Sequence, residues 1–365
     1  MSNMMSVFDL MPDEEAEKYR PIKSTDWKWT FADYPKEKNG IKVFSCFACG
    51  GGSTMGYKLA RCEVIGDLEI DPKMNEIYVK NHHPKHNFLM DIRKFNEMPN
   101  EELPEELFHL DILDGSPPCT TFSMAGDRDD SWGKKKKFRE GQAEQTLDDL
   151  SFVFIETVKK LQPKVVIMEN VEGLLLGNAW EYVQRIYEEF GKAGYDVQHY
   201  LCKGENMGIP QSRHRVFFIG MRKDVGFNYE SLDMAFNYAP VPFKLVKSKD
   251  YLMASEKVRE IISNAIPNQD KCLAEVLLRT ENRGSRYNEM IVWDDMVAPT
   301  VHTHGFYRGC DASKFTPLDY IHCQTFPEDY DAPDTLVSYI CGMSVPPVMI
   351  KRIVTRIIET GVFEK

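Results

Sequence analysis

The run Ile41-Lys42-Val43-Phe44-Ser45-Cys46-Phe47-Ala48-Cys49-Gly50-Gly51-Gly52-Ser53 decides how the rest of the chain is read. Its first residues are apolar enough for a buried strand, the glycines punctuate that strand, and Thr54 to Ala60 continues with a helical pattern. Strand, glycine turn and helix in this order let backbone N–H groups approach a ligand closely, a geometry that nucleotide-like ligands use. A nicotinamide dehydrogenase carries such a turn as well, so the neighbouring strands have to decide.

Outward from the turn, the apolar run Val64 to Ile70 carries Glu69 at its end and is followed by Asp71-Pro72, an N-cap with proline at the first helical position. A carboxylate closing the second strand of a doubly wound fold accepts hydrogen bonds from ribose hydroxyls. Phe88-Leu89-Met90 predicts a third strand, and Asp91-Ile92 at its end repeats the pattern, an acidic group placed to meet an adenine amino group. Leu110 to Leu113 predicts the fourth strand, which runs into Ser116-Pro117-Pro118-Cys119. Proline fixes its own φ and biases the preceding residue towards extended geometry, so this exit is stiff and aims a thiol. Cys119 is the candidate nucleophile.

Leu147 to Leu161 predicts a helix with Phe152, Ile155 and Val158 on one face, and Val165-Val166-Ile167-Met168 a buried strand ending in Glu169-Asn170. A carboxylate at the carboxyl end of such a strand faces the ligand side of the sheet, and Cys119 faces the same crevice. A helix over Trp180 to Lys192 and strands near Val197 to Leu201 and Val216 to Gly220 continue the alternation. Before the last of these stands Gln211-Ser212-Arg213-His214-Arg215, which as an extended segment places Arg213 and Arg215 on the same side. Two guanidinium groups beside a thiol and a carboxylate suit an anionic or carbonyl-rich substrate.

The chain has 365 residues, 42% of them hydrophobic, enough for one large or two ordinary domains with a real core. Its start lacks a basic region followed by an apolar run, and no later segment reads as a bilayer span, which predicts a cytosolic protein without a membrane partner. Nine scattered cysteines fit a reducing compartment, and the Cys46–Cys49 pair has no second pair to complete a zinc site, so no metal is expected. The net charge of −11 and pI near 5.4 weigh against nucleic acid, yet Lys134-Lys135-Lys136-Lys137-Phe138-Arg139 concentrates positive charge shortly after Cys119. Residues 1 to 40 read as an extension and 41 to 221 as the catalytic and cofactor-binding domain. Residues 222 to 312 show no clean period and read as a separate region whose basic stretch Arg279 to Tyr287 looks like a surface reader. Residues 313 to 365 close with an amphipathic helix, Ile350, Ile353, Val354, Ile357 and Ile358 on one face, that docks back onto the first domain.

These motifs, in this order, resemble the cytosine-5 DNA methyltransferases over roughly Val43 to Ile358. The resemblance implies an α/β fold: a Rossmann-like sheet of the S-adenosylmethionine-dependent methyltransferases with a smaller, irregular target-recognition domain. Phe44 to Tyr57 is similar to the family's cofactor-binding motif, so that Phe47, Gly50, Gly51 and Gly52 would cradle S-adenosyl-L-methionine. Glu69 and Asp91 look like the residues that hold its ribose and adenine, with Ile70 and Ile92 against the adenine. Pro118-Cys119 resembles the catalytic proline-cysteine, Glu169-Asn170-Val171 the Glu-Asn-Val, and Arg213 and Arg215 the paired arginines. Gly342 to Pro346, with Ser344, resembles the closing motif that returns to the cofactor.

The chemistry accounts for the residue types. Cytosine C5 is a poor nucleophile until a thiolate adds at C6, and a carboxyl group with a raised pKa in a closed pocket assists that addition at N3. Glu169 fits that role, Arg215 would hold the base at O2, and Arg213 with the lysine-rich run would lie nearer the phosphates. C6 is inaccessible inside a duplex, so the target base must flip out. Departures from the family pattern are Cys49 for a usual glycine, Ser45 for a common aspartate, Thr120 for glutamine, Leu318 for arginine and Met343 for asparagine. Duplex DNA is the expected partner of a monomeric enzyme, with a restriction endonuclease partner left open. RNA methylation and a catalytically silent binding role are the alternatives.

Overall fold

The structure, a computed structural model, describes residues 19–118, 150–176 and 179–364. Cys119 and the lysine-rich run lie outside the described residues. The described residues fold as two compact units, one drawn from 34–118, 150–176, 179–202, 214–234 and 350–364, the other from 19–33, 203–213 and 235–349.

The larger unit is built on strands β1 (Lys42–Cys46), β2 (Glu63–Glu69), β3 (His86–Leu89), β4 (Ile112–Gly115), β5 (Val165–Val171), β6 (Tyr195–Lys203) and β7 (His214–Arg222). They form one sheet in the order β3-β2-β1-β4-β5-β7-β6. The pairs from β3 to β5 are parallel and β7 runs antiparallel to β5. Strand order reverses between β1 and β4, and open α/β sheets bind their ligands outside the carboxyl ends of the strands at such a switch point. The run Val-Val-Ile-Met-Glu-Asn of β5 is buried throughout, as a strand covered on both faces requires.

Helices α1 (Gly52–Leu59), α2 (Pro72–His82), α3 (Ile92–Glu97), α4 (Leu150–Leu161) and α5 (Trp180–Lys192) alternate with these strands. Phe44 and Leu113 of the sheet meet Phe95, Phe154, Ile155, Val158, Ile186 and Phe190 in the main core. Phe44 lies parallel to Phe95 with ring centroids 5.8 Å apart. On α4 the buried stripe is Phe154, Ile155, Val158 and Leu161. Phe152, expected on that stripe, falls to its margin and carries the guanidinium of Arg185 over its ring at 4.5 Å.

Residues 222–312 were expected to be irregular, but the second unit has a core of its own. Strands β8 (Leu252–Met253), β9 (Met290–Val292), β10 (Phe306–Arg308) and β11 (Ser313–Lys314) form a sheet in the order β9-β10-β11-β8. Helices α6 (Glu256–Ser263) and α7 (Leu273–Glu281) bury Val258, Ile261, Ile262, Val276 and Leu277 with Ile291, Trp293 and Tyr307. Strands of two or three residues are too short to print an alternation on the sequence. Buried Arg308 donates to Asp319 Oδ2 at 2.5 Å, and that carboxylate also accepts from Thr316 N, which fastens the sheet to α8 (Pro317–Gln324).

The units do not follow the sequence boundaries. Residues 222–234 stay with the large sheet, where Tyr229 donates its hydroxyl to Asp196 O and Ile219 O. Residues 203–213 and 313–349 belong to the second unit. The run Asp334–Glu359 reaches the length and hydropathy of a bilayer span by composition alone. It is two helices, α9 (Asp334–Met343) and α10 (Pro347–Glu359), and 72% of its most apolar window is buried. Ile350, Ile353, Val354 and Ile357 form the buried face of α10, with Ile358 at its margin.

Candidate active site

The turn after β1 is held in left-handed conformations at Phe47 (φ 58°), Cys49 (φ 45°) and Gly51 (φ 83°). Gly51 caps α1, and a Cβ there would lie 2.0 Å from Nε2 of His82. That imidazole is buried beneath the turn, packed edge-on against Tyr78, and its Nε2–H donates to Gly50 O at 3.1 Å. Burial pushes its pKa down to about 3, so it acts as a neutral wedge.

Glu69 braces the same turn. Its Oε2 accepts from Cys49 N at 2.8 Å and its Oε1 from Ile70 N and Asp71 N at 2.9 and 2.8 Å. Burial raises its pKa while these three N–H groups pull it back. A carboxylate offers about four acceptor positions, so about one remains for a further donor. Asp91 caps α3 through Arg93 N at 2.9 Å and keeps part of its side chain exposed. Phe47, Cys49, Ile70 and Pro118 are likewise half-exposed, which leaves an apolar and acidic rim at the carboxyl ends of β1 to β4. Ile92, which the resemblance sets against the adenine, is 4% exposed and packs on the main core. It follows the cap on α3, and its inward face is shared with Phe95 one turn later.

Behind the turn lies a polar layer that the strand patterns did not announce. Asp114 on β4 accepts from Ser45 Oγ at 2.8 Å and Tyr57 OH at 3.0 Å, and Asp67 on β2 accepts from Asn87 Nδ2 at 3.0 and 3.1 Å. Both carboxyls are buried, and burial pushes each up to about 7.

At the end of β5, Glu169 Oε1 accepts from Arg215 Nε at 2.8 Å. The antiparallel register places Val171 opposite Arg215, which brings the two side chains together. Arg215 Nη1 also donates to His214 O at 2.7 Å, and burial lowers its pKa while Glu169 raises it. Asn170 Nδ2 reaches Pro117 O at 3.4 Å, tying β5 to the proline exit of β4. His214 Nδ1 pairs with Glu172 Oε2 at 3.0 Å.

Arg213 and Arg215 do not share a task. Arg213 is 2% exposed, and its Nη1 and Nη2 each donate to Gly342 O at 3.1 Å within the second unit. Gln211 donates to Cys323 O and Gln324 Oε1, both at 2.7 Å, and accepts from Val301 N at 3.0 Å. The first half of the motif is thus internal scaffolding, because Gln211–Ser212 pairs with Ala298–Pro299 before the chain enters β7. Arg213 is not presented to phosphates as expected. Gln324 in turn donates to Ser344 O at 2.7 Å, and Ser344 Oγ is buried with no hydrogen-bond partner among the described residues.

Asn170 and Asp114 are the site residues that sequence reasoning passed over. Asn170 carries no task in the motif Glu169-Asn170-Val171, and Asp114 follows directly after the expected fourth strand, Leu110 to Leu113, without one.

Residues 41–304 match the model of the C-5 cytosine-specific DNA methylases. The type II methyltransferase M.FnuDI of Fusobacterium nucleatum is 34% identical over 235 residues, 63% of this chain and 58% of the relative. M.NgoPII of Neisseria gonorrhoeae is 30% identical over 237 residues, 64% and 61% of the two chains. The match therefore spans less than two thirds of either relative. Among solved structures, a prophage-encoded DNA modification methyltransferase from E. coli superposes with a TM-score of 0.63 at 17% identity, covering 89% of this chain and all of that one. Spodoptera frugiperda DNMT2 gives 0.60 at 14%, over 87% and 100%. Both show the same fold. With the family model matched from β1 through β9, the chain belongs to the C-5 cytosine-specific DNA methylase family.

Proposed function

We propose that the protein transfers a methyl group from S-adenosyl-L-methionine to C5 of a cytosine in duplex DNA, with Cys119 as the nucleophile that adds to C6. The observation that carries this reading is the end of β5, where Arg215 is locked to Glu169 and Asn170 holds the carbonyl of Pro117, two residues before Cys119. The named relatives are type II methyltransferases, which supports DNA as the substrate.

The residues present fit the cofactor. A cationic ligand with a vicinal diol and an adenine needs acceptors, an apolar slot and close backbone approach. Glu69 with about one free acceptor position, Asp91, Ile70 and Phe47 supply the first two, and Gly50, Gly51 and Gly52 supply the third. When bound, S-adenosylmethionine supplies an electrophilic methyl group. Glu69 would orient it by its ribose, and Pro118 would close the rim. Arg215 would donate to the cytosine O2 while keeping Glu169 fixed for a proton at N3. The thiolate of Cys119 would form the bond to C6, and loss of the C5 proton would later expel it.

Incubation of the full chain with labelled S-adenosylmethionine and either duplex DNA or tRNA tests the reading. Label recovered as 5-methylcytosine in DNA is expected. Label confined to tRNA would overturn the substrate, and no cofactor binding would overturn the activity.

A further inference from the structure

Asp114 has no task in the reaction just described, yet it is a carboxyl group kept in a costly place. Ile112 and Leu113 precede it on β4 as fully buried apolar residues, and Asp114 itself is 2% exposed. An apolar side chain would be cheaper there, since a buried carboxyl must recover its desolvation through hydrogen bonds. Its partners show what it organises. The parallel register sets Ser45 of β1 directly opposite Asp114, and Ser45 Oγ donates to Oδ2 at 2.8 Å. From the other side Tyr57 OH donates to Oδ1 at 3.0 Å, and Ser53 contributes a further side-chain hydrogen bond. Ser53 and Tyr57 are four apart on α1 and share one face. One carboxyl therefore gathers β1, β4 and the first turns of α1, the three elements that converge on the glycine turn.

The resemblance to the family sets an aspartate at position 45, where this chain has serine. We infer that Asp114 is the positioning residue of the cofactor cradle, the carboxylate of this family's first strand having been moved one strand over, from position 45 to its register partner. Neighbouring strands lie about 4.8 Å apart, so an aspartate on either strand reaches the same turn of α1. Asp114 fixes α1 from below while Glu69 fixes the turn through Cys49 N and His82 wedges it at Gly50. The turn lacks the glycine usual at position 49, and a second brace compensates for the left-handed cysteine. Burial pushes the Asp114 pKa up to about 7, the three hydroxyl donors pull it down and the Glu169 charge opposes them, so a ligand cation above the turn favours its ionised form.

The inference rests on the proposed cofactor, and the test separates the two. Asp114→Ser, Asp114→Asn and the exchange Ser45→Asp/Asp114→Ser are compared with the wild type in the full chain. Affinity for S-adenosylhomocysteine and S-adenosylmethionine is read by calorimetry, and amide exchange is read over Gly52–Leu59. D114S is expected to weaken binding by about tenfold or more and to speed α1 exchange. The exchange variant is expected to restore both to within about threefold of wild type. D114S equal to wild type in both readouts, or an exchange variant no better than D114S, overturns the inference. Should D114S fail to fold, a folded exchange variant with native α1 protection supports the transposition and an unfolded one overturns it. Absence of binding by the wild type would overturn the proposed function, and α1 protection in the same variants still decides the placement of the carboxylate.

Discussion

Asp67→Asn tests the polar layer behind the glycine turn. Asp67 is fully buried on β2 and keeps its proton up to about pH 7, because burial outweighs the two contacts from Asn87 and the nearby Glu69 charge adds to it. In the unfolded chain an aspartate releases its proton near pH 4. Between roughly pH 4 and pH 7 the folded state therefore binds more protons, and stability falls as pH rises at up to about 1.4 kcal/mol per pH unit. Over that window of roughly three units the loss is on the order of 4 kcal/mol. Asparagine preserves the shape and an acceptor for Asn87 Nδ2 but has no proton to lose. The variant is expected to match wild type near pH 4 and to exceed it by about 2–4 kcal/mol at pH 8, with a shallower slope throughout. Asp114 has the same sign and remains in the variant, so some slope persists. Urea titrations of both proteins from pH 4 to 8 give the difference at each pH. Parallel stability curves would refute the reasoning, since they would mean that Asp67 does not hold a proton in the fold.

Gly51→Ala places a methyl group against His82 at a left-handed position. It is expected to cost about 3–5 kcal/mol in urea unfolding and to abolish cofactor binding by calorimetry. Cys49→Gly relieves a left-handed cysteine at φ 45° and is expected to raise stability by about 0.5–1 kcal/mol, after the entropic cost of glycine, in the same titration. Arg215→Lys keeps the charge but loses the planar fork that meets Glu169. Its turnover with duplex DNA is expected to fall by about a hundredfold or more while its cofactor affinity stays within about twofold.

Much of the larger unit was legible because its periods are long and its punctuation is strong. The helix expected over Trp180 to Lys192 has those bounds in the structure, and Asp71-Pro72 caps α2 as its chemistry requires, with Asp71 accepting from Lys73 N and Met74 N. The glycine turn was visible as composition, but Cys49 and Phe47 take left-handed angles that only the surrounding fold imposes. The role of Asp114, just past the apolar run Leu110 to Leu113, was not legible, because its partners Ser45 and Tyr57 come from elements more than fifty residues away. Arg213 was misjudged for a related reason. An extended segment puts alternate residues on one side only while one ladder persists, and here the pairing changes at residue 213. The second unit escaped reading because its sheet is held by the Arg308–Asp319 pair and not by long alternating strands.

The central claim is that Cys119, supported by the Glu169–Arg215 pair and Asn170, forms a covalent bond to cytosine C6. The most direct measurement is a denaturing gel of the protein after incubation with labelled S-adenosylmethionine and duplex DNA carrying 5-fluorocytosine, where fluorine at C5 blocks the final elimination. A labelled protein–DNA adduct that disappears in Cys119→Ser is expected. An adduct that persists in Cys119→Ser, or none at all while label still reaches ordinary DNA, would contradict the central claim.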